Sequence, residues 1–569
     1  MNNLDTRMSA LENHFDIAFA APNGIKKLRE LILSLAMQGK LVPQDPNDQP
    51  ASELLKEIET EKRRLVKTGK IRNPKPLPDI KHEEVPYELP LGWEWVKLGK
   101  ITEVERGGSP RPINAYLTDD PDGLNWIKIG DTEKGAKYIV STKEKIRKEG
   151  LSKTRMVYPG DFLLTNSMSF GRPYITTIEG CIHDGWLRIH PPVTLEKDFL
   201  YYLLSSSYII TLFKSLAAGA VVLNLNADKV RESAIPLPPL AEQKRIVAII
   251  DQLMAHCDEL EKLRAERQQK RFTVHISALN SLLEAKETDS FAAAWHFINR
   301  HFGELYSVKE NVTELRKAIL QLAVMGKLVP QDPNDQPASE LLKEIEEEKM
   351  RLVKDGLYRN NVDEYSVGTC LFDLPANWEW STVQQLGFVL GGKRLPKGHD
   401  YSELPTDYRY ITVTNMKNGT VIDNEVKYIS PETHALINKY VISKKDLYIS
   451  IAGTIGAIGI IPDHCDGMNL TENASRFVFF KCDKAFLLNL LNSGVVQGQF
   501  AELTNKMAQP KLSLRSILSS AIPIPPLEEQ HRIVAKIDKL MALCDQLEQQ
   551  IDATAFKQSA ILNAVMATT

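Results

Sequence analysis

Apolar positions along the chain follow a helical period in the charged stretches and a strand-like period in the stretches rich in glycine and proline. Residues 5–40 read as one helix, because Ile25, Leu28, Ile32, Leu35 and Ala36 form a stripe at steps of three and four, and Gly39 ends it. A connector of Pro, Asp and Asn follows. Pro50 then opens a second helix whose apolar face holds Leu54, Leu55, Ile58 and Leu65. Asn73–Pro90 holds five prolines and reads as a linker. From Leu91 short β-rich pieces at 93–98, 126–129 and 162–165 alternate with turn residues, and Phe199–Leu216 reads as helix. Beyond the extended Ile235–Leu240, a long helix carries Ile246, Ile250, Leu253, Cys257 and Leu260 at alternating steps of four and three, the seam of a coiled coil.

The same succession then runs a second time. Helix continues past Ala285 through Trp295 and Phe302 to Leu315, strands are predicted at 410–414, 447–451 and 476–480, and Ile533, Ile537, Leu540, Cys544 and Leu547 repeat the seam. Residues 39–59, GKLVPQDPNDQPASELLKEIE, recur unchanged at 326–346, and Leu28–Gly69 matches Leu315–Gly356 at 34 of 42 positions with a shift of 287. The segment from Ala234, AIPLPPLAEQKRIVAIIDQLMAHCDEL, recurs from Ala521 at the same shift. The chain is therefore one unit written twice. Between these blocks, Leu89–Ser233 and Leu374–Ser520 share only islands: LPxxWEW, an Asp before an apolar run (Asp161, Asp446) and a Gly ten residues further (Gly171, Gly456). A fixed frame with two unlike inserts implies one kind of partner bound twice and two different things being read. The exposed polar run PQDPNDQPAS, unchanged between copies, argues against simple drift.

Each seam is too narrow to be buried by a globular core, so each long helix is the expected partner of the other, antiparallel about a pseudo-twofold axis. That symmetry also predicts that the two chain ends lie side by side, giving a circular organisation. The expected class is α/β, with divisions at 1–88 (helical frame and linker), 89–234 (first insert), 235–371 (spacer and second frame copy), 372–521 (second insert) and 522–569 (terminal spacer helix).

Length calls for about three to five domains, and 43% apolar with 25% charged residues is ordinary for a soluble protein. No signal-like start and no membrane-length apolar run is seen, so a cytoplasmic location is expected. Six scattered cysteines show no zinc spacing, and Cys257 and Cys544 read as core positions. A net charge of −3 excludes diffuse polyanion binding and leaves nucleic acid to local patches, such as the eight Lys or Arg against two Glu in Lys134–Arg155.

Candidate chemistry is sparse. There is no [ND]PP[YF] tetrapeptide, no GxxxxGK[ST], GxSxG or HExxH, and Gly453–Gly459 is glycine-rich without a lysine. Pro78-Asp-Ile-Lys81 lies in the proline linker with no strand to present it. No catalytic or metal-binding residue is expected. Duplex-facing candidates are the loop Arg106, Gly107, Gly108, Ser109 and Arg111 and its counterpart with Lys393, Arg394 and Lys397, since basic groups and close-approaching backbone suit phosphates and guanine edges. The bland alternative is a solvated hairpin turn. Lys128, Thr165, Asn166, Ser167 and Arg172 in the first insert, and Thr414, Asn415, Lys417, Ser450 and Thr454 in the second, are placed at strand ends near these loops. Trp93, Trp95, Trp378 and Trp380 are expected in the core.

The duplicated frame, the LPxxWEW starts, the IPLPPLAEQKRIV and IPIPPLEEQHRIV segments and the divergent inserts together resemble the specificity subunit of type I restriction-modification systems, over essentially the whole chain. The resemblance implies that each insert is a target recognition domain reading one half of a gapped double-stranded DNA sequence, with the helices setting the gap. It implies no chemistry in this chain. Two modification subunits carrying S-adenosylmethionine would methylate adenine, and two restriction subunits using ATP and magnesium would translocate and cleave. Reading one face of DNA one turn apart requires ~34 Å, which about 23 helical residues supply at ~1.5 Å each; Glu242–Leu263 is close to that length. The competing readings are a self-contained DNA methyltransferase or nuclease with drifted motifs, and a scaffold docking only proteins.

Overall fold

The computed structural model describes residues 15–69, 71, 76–133, 135–166, 170–217, 225–359, 365–367, 370–423, 425–504 and 511–568. The chain divides into two units, Met1–Arg267 with Thr554–Thr569, and Gln268–Ala553.

In the first unit, α1 (Gly24–Met37) is followed by Gly39 at φ +67°, a left-handed position where glycine carries no Cβ penalty. The single helix expected over 5–40 is broken at Ala20–Asn23, where Pro22 lacks an amide hydrogen; residues before Phe15 lie outside the described ones. α2 (Ala51–Lys67) buries Ala51, Leu54 and Ile58. The insert starts with β1 (Glu94–Lys97) and β2 (Glu103–Arg106). Its main sheet runs from β2 to β5 (Trp186–His190), β3 (Phe162–Thr165), β4 (Pro173–Thr176) and a short strand at Tyr138–Ile139. A second five-stranded sheet includes Leu124–Ile127 and Gly180–Ile182, which pair in parallel, so the insert mixes strand directions as an α/β domain should. Two helices, α3 (Lys197–Ser205) and α4 (Ser207–Ala217), drive Phe199, Leu203 and Phe213 into the core that α1 and α2 also line. These two form a bent apolar pair, and no single helix among the described residues is long and apolar enough to cross a membrane.

The insert closes on β6 (Ala234–Leu237), which pairs antiparallel with β1, Trp95 opposite Pro236. The Ile235–Leu240 stretch, expected as a rigid extended connector, is extended, and its first part is a paired strand; Pro236 is tolerated because the ladder has only two strands. The long helix α5 (Leu240–Glu284) follows. Its seam residues Ile246, Ile250, Leu253 and Cys257 pack with Ile25, Leu28 and Ile32 of α1, and Arg29 reaches Asp258 at 2.7 Å and Glu261 at 3.0 Å. A narrow stripe was expected to need another long helix; its first half is instead buried by the frame of its own unit. Leu260, further along, is 42% exposed.

The second unit repeats this plan with α6 (Thr288–Arg300), α7 (Lys309–Val324), α8 (Ala338–Lys354), β7 (Glu379–Thr382), β8 (Gly387–Gly391), β9 (Leu447–Ser450), β10 (Ile458–Ile460), β11 (Ala474–Phe479), α9 (Lys484–Leu491), β12 (Ala521–Ile524) and α10 (Leu527–Thr568). Its main sheet runs β8, β11, β9, β10, and β7 pairs with β12. Ile533, Ile537 and Cys544 are buried, and Leu540 and Leu547 partly so, in the core holding Ile319 and Leu322 of α7. Arg316 repeats Arg29, 2.5 Å from Asp545. The last turns of α10 belong to the first unit, where Leu562 and Val565 are buried against Ala18, Phe19, Ala21 and Leu31. Described segments close to the two ends of the chain meet there.

Each frame is locked at the first turn of its long helix. Trp93 donates its indole N–H to Glu242 at 2.9 Å, Gln44 donates to the same carboxylate at 3.0 Å, and Arg245 grips Asp48. Trp378, Gln331, Glu529, Arg532 and Asp335 repeat every contact. Burial raises the Glu529 carboxyl above its ordinary range, against these donors. The unchanged PQDPNDQPAS run therefore has an internal reason in part: Gln44 and Asp48 serve a carboxylate and an arginine at the helix start, and Asp48 is 9% exposed at its side chain. Trp93 and Trp378 are core residues as expected, while Trp95 and Trp380 are half-buried.

Candidate nucleic-acid interface

In the first insert, β2 ends at the exposed Arg106 and the chain runs directly over the neighbouring backbone. Gly107 N–H donates to Trp186 O at 2.9 Å and Gly108 N–H to Ile182 O at 3.2 Å. A Cβ on Gly107 would lie 2.2 Å from His183 O and one on Gly108 2.5 Å from Lys153 O, so only glycine permits this path. The loop is then tied to Asp184. Ser109 donates its hydroxyl to the carboxylate at 2.8 Å, Arg111 reaches it at 3.5 Å, and Arg106 donates to the Asp184 carbonyl at 3.2 Å. The Ser109 hydrogen bond outweighs partial burial, and with His183 and Arg111 it holds the Asp184 carboxyl below its ordinary range.

The second insert reaches the same arrangement with other residues. Gly391 ends β8 opposite Ser475, Gly392 N–H donates to Ala474 O at 2.9 Å, and a Cβ there would lie 2.1 Å from Thr471 O. Lys393 N–H donates to Leu470 O at 2.9 Å and its ammonium sits 5.5 Å from the centre of the Tyr440 ring. Arg394 donates to Glu472 at 2.9 Å. Partial burial works against the Glu472 charge, yet Arg394, the backbone and Thr471 keep its carboxyl below the ordinary range. Lys397 is exposed at the end of this loop.

Behind both loops lies a shared turn. Thr165 N–H donates to Arg172 O, Gly171 N–H to Thr165 O and Arg172 N–H to the Thr165 hydroxyl; Ser450, Gly456 and Ala457 form the same three bonds. This explains the Gly171 and Gly456 islands, both at positive φ. It also corrects four expectations. Thr165, Asn166, Asn415 and Ser450 are at most 3% exposed and do not face outwards. Their polar groups serve the domain's own backbone: Asn166 donates to Asp184 O at 2.8 Å and Asn415 accepts from Thr412 N–H at 3.0 Å. Lys128 is half-buried and paired with Glu144 at 2.5 Å. Arg172, Thr414, Lys417 and Thr454 are exposed, and Ser167 lies outside the described residues. Part of the basic stretch up to Arg155 is engaged internally, with Lys137 paired to Asp198 at 2.7 Å, Arg155 to Glu105 at 3.5 Å and Lys153 bonded to Tyr116 at 2.7 Å, while Lys143, Arg147 and Lys148 are exposed.

The residues missing from the sequence-based set are Asp184 and Glu472, together with Asp161 and Asp446, which pair with Arg188 at 2.8 Å and Arg476 at 3.2 Å inside the two sheets. The two inner aspartates were visible as islands. Asp184 and Glu472 were not, since they differ in type and are offset by 288 rather than 287. Among the described residues no group of three or more His, Cys, Asp or Glu could hold a metal ion.

A family model described as type I restriction modification DNA specificity domain matches residues 90–268 and again 375–555. The type I restriction enzyme EcoAI specificity subunit of Escherichia coli is 31% identical over 95% of this chain and 93% of its own length. The EcoEI specificity subunit of the same species is 30% identical over the same shares. Among solved structures, the HsdS subunit from Thermoanaerobacter tengcongensis aligns over 85% of this chain and 98% of its own with a TM-score of 0.41 at 19% identity.

Proposed function

This chain belongs to the family of type I restriction-modification specificity subunits, and we propose that its two inserts, 89–234 and 372–521, each read one half of a gapped double-stranded DNA target. The chain is a recognition subunit without a catalytic step of its own. Two modification subunits, holding S-adenosylmethionine, dock on the two frame copies and methylate adenine; two restriction subunits use ATP and magnesium to translocate and cleave. The single observation behind this reading is the contrast between a common scaffold and unlike exposed side chains. The same glycine-led loop emerges from the same strand end in both inserts, yet one presents Arg106 and Arg111 and the other Lys393, Arg394 and Lys397. Basic groups on exposed loops supply phosphate affinity, and their differences supply different base readout.

The test is adenine-methylation sequencing of a host with and without the chain, which is expected to give two unlike half-sites at a fixed gap. Inserting four residues within Glu242–Leu263 should change that gap by a few base pairs. An unchanged gap would remove the spacer role from this helix. The purified chain incubated alone with DNA, magnesium and S-adenosylmethionine should leave the DNA unmodified; transfer or cleavage would favour the self-contained enzyme.

A further inference from the structure

We infer that Asp184 and Glu472 are positioning residues for sequence discrimination: each holds its insert's basic loop in the reading pose and opposes binding to a duplex that the loop does not match. The inference rests on the inserts reading DNA and goes further by naming what keeps them selective. Two inserts with almost no sequence in common place a carboxylate at the same point of the fold. Asp184 lies two residues beyond Ile182, whose carbonyl receives Gly108 N–H, and Glu472 lies two residues beyond Leu470, whose carbonyl receives Lys393 N–H. Each carboxylate accepts from the loop itself, Ser109 and Arg111 in one insert and Arg394 in the other.

Such pairs do little for the fold. The Arg111 and Arg394 side chains are 82% and 80% exposed, and ion pairs so open to water contribute little to stability. At a loop meant to meet phosphates, a carboxylate is moreover a liability, since it repels the backbone of any duplex. Both costs are tolerable if the acid does something that a neutral residue would not. A basic loop without an acidic partner binds every duplex through phosphates alone, which carries no sequence information. With the carboxylate present, the loop's cations are held in one geometry and their net attraction for phosphate is reduced. Matched base edges then decide whether the complex persists.

The experiment uses the chain assembled with its modification subunits, and duplexes carrying the methylation-mapped target with both half-sites intact, with the first scrambled, or with the second scrambled. Asp184→Asn is expected to lower discrimination at one half-site by about tenfold, mainly by tighter binding to the duplex scrambled there. Glu472→Gln should do the same at the other half-site only. Asp184→Glu, which keeps the charge, should retain discrimination, and melting temperatures should stay at the wild-type value. Unchanged discrimination in both variants, or equal loss at both half-sites from either one, overturns the inference while leaving DNA reading intact. A wild-type complex indifferent to both scrambled duplexes overturns the underlying reading as well.

Discussion

Replacing His275 with leucine should stabilise the second unit and remove an acid sensitivity. At the shift of 287, His275, Tyr306 and Asn311 occupy the places of Leu562, Phe19 and Gly24. In the first unit that junction is apolar, with Leu562 and Phe19 each 3% exposed. In the second, His275 is 0% exposed and edge-on to Tyr306 with centroids 5.1 Å apart. Neither ring nitrogen of His275 nor the Tyr306 hydroxyl makes a well-formed hydrogen bond among the described residues, and the Asn311 backbone gives the imidazole only a poorly aligned polar neighbour. A buried polar group lacking a partner costs about 1–3 kcal/mol. Leucine, already accommodated at the equivalent place, should therefore gain about 2 kcal/mol, or roughly 4–8 °C in melting temperature. Burial depresses the His275 pKa, with the Asn311 backbone and Glu314 offsetting only part. A depressed histidine contributes stability that is fully present above its unfolded pKa of about 6.5 and is lost as pH falls through the folded value. Hydrogen exchange over residues 268–284, measured at pH 7.5 and 5.5, reads this directly. Wild type should lose protection at the lower pH and His275→Leu should not. Equal protection of wild type at both pH values, or a less protected variant at pH 7.5, would refute the reasoning. The reverse exchange, Leu562→His, should cost the first unit about 2–4 kcal/mol.

Trp93→Phe removes the indole donor from the buried Glu242 and should lower stability by about 1–3 kcal/mol, read as a shift in the urea midpoint; Trp378→Phe should do the same through Glu529. Arg106→Ala or Lys393→Ala should weaken binding to the target by about 1–3 kcal/mol if the residue reads a base, or flatten the salt dependence if it meets phosphate. A titration showing neither removes that residue from the interface. A circular permutant joining the two ends through a short linker, with new ends in the exposed Asp119–Asp122 turn, should fold with the wild-type circular dichroism spectrum, because Leu562 and Phe19 already share a cluster.

The frame was legible because it is stated twice. A stripe such as Ile246, Ile250, Leu253 and Cys257 says that a helix face is buried, but periodicity carries no information about what buries it, and α1 does so here. The inserts were legible as α/β domains from short apolar runs between turn residues, yet their reading surface was only half visible. The glycine-led loops could be found because a Cβ is forbidden there, a constraint written in the sequence itself. Thr165 and Ser450 looked like surface donors because they end strands; their inward orientation depends on a turn closed by Gly171 and Gly456, which only tertiary geometry reveals. Asp184 and Glu472 escaped because carboxylates on loops are common, and what distinguishes these two is the backbone they stand beside.

The antiparallel ladders β1 with β6 and β7 with β12 have a consequence for how such a molecule changes. Chain leaves and returns through neighbouring strands in matched register, Glu94 facing Leu237 and Glu379 facing Ile524. Each insert is therefore a cassette seated in a two-pronged socket, and the socket is the same in both places. Genetic exchange that replaces everything between the prongs keeps the socket and the contacts at the start of the long helix, provided the incoming cassette refills the places of Phe199, Leu203 and Phe213 in the core it shares with α1 and α2, so a new specificity can arise in a single step.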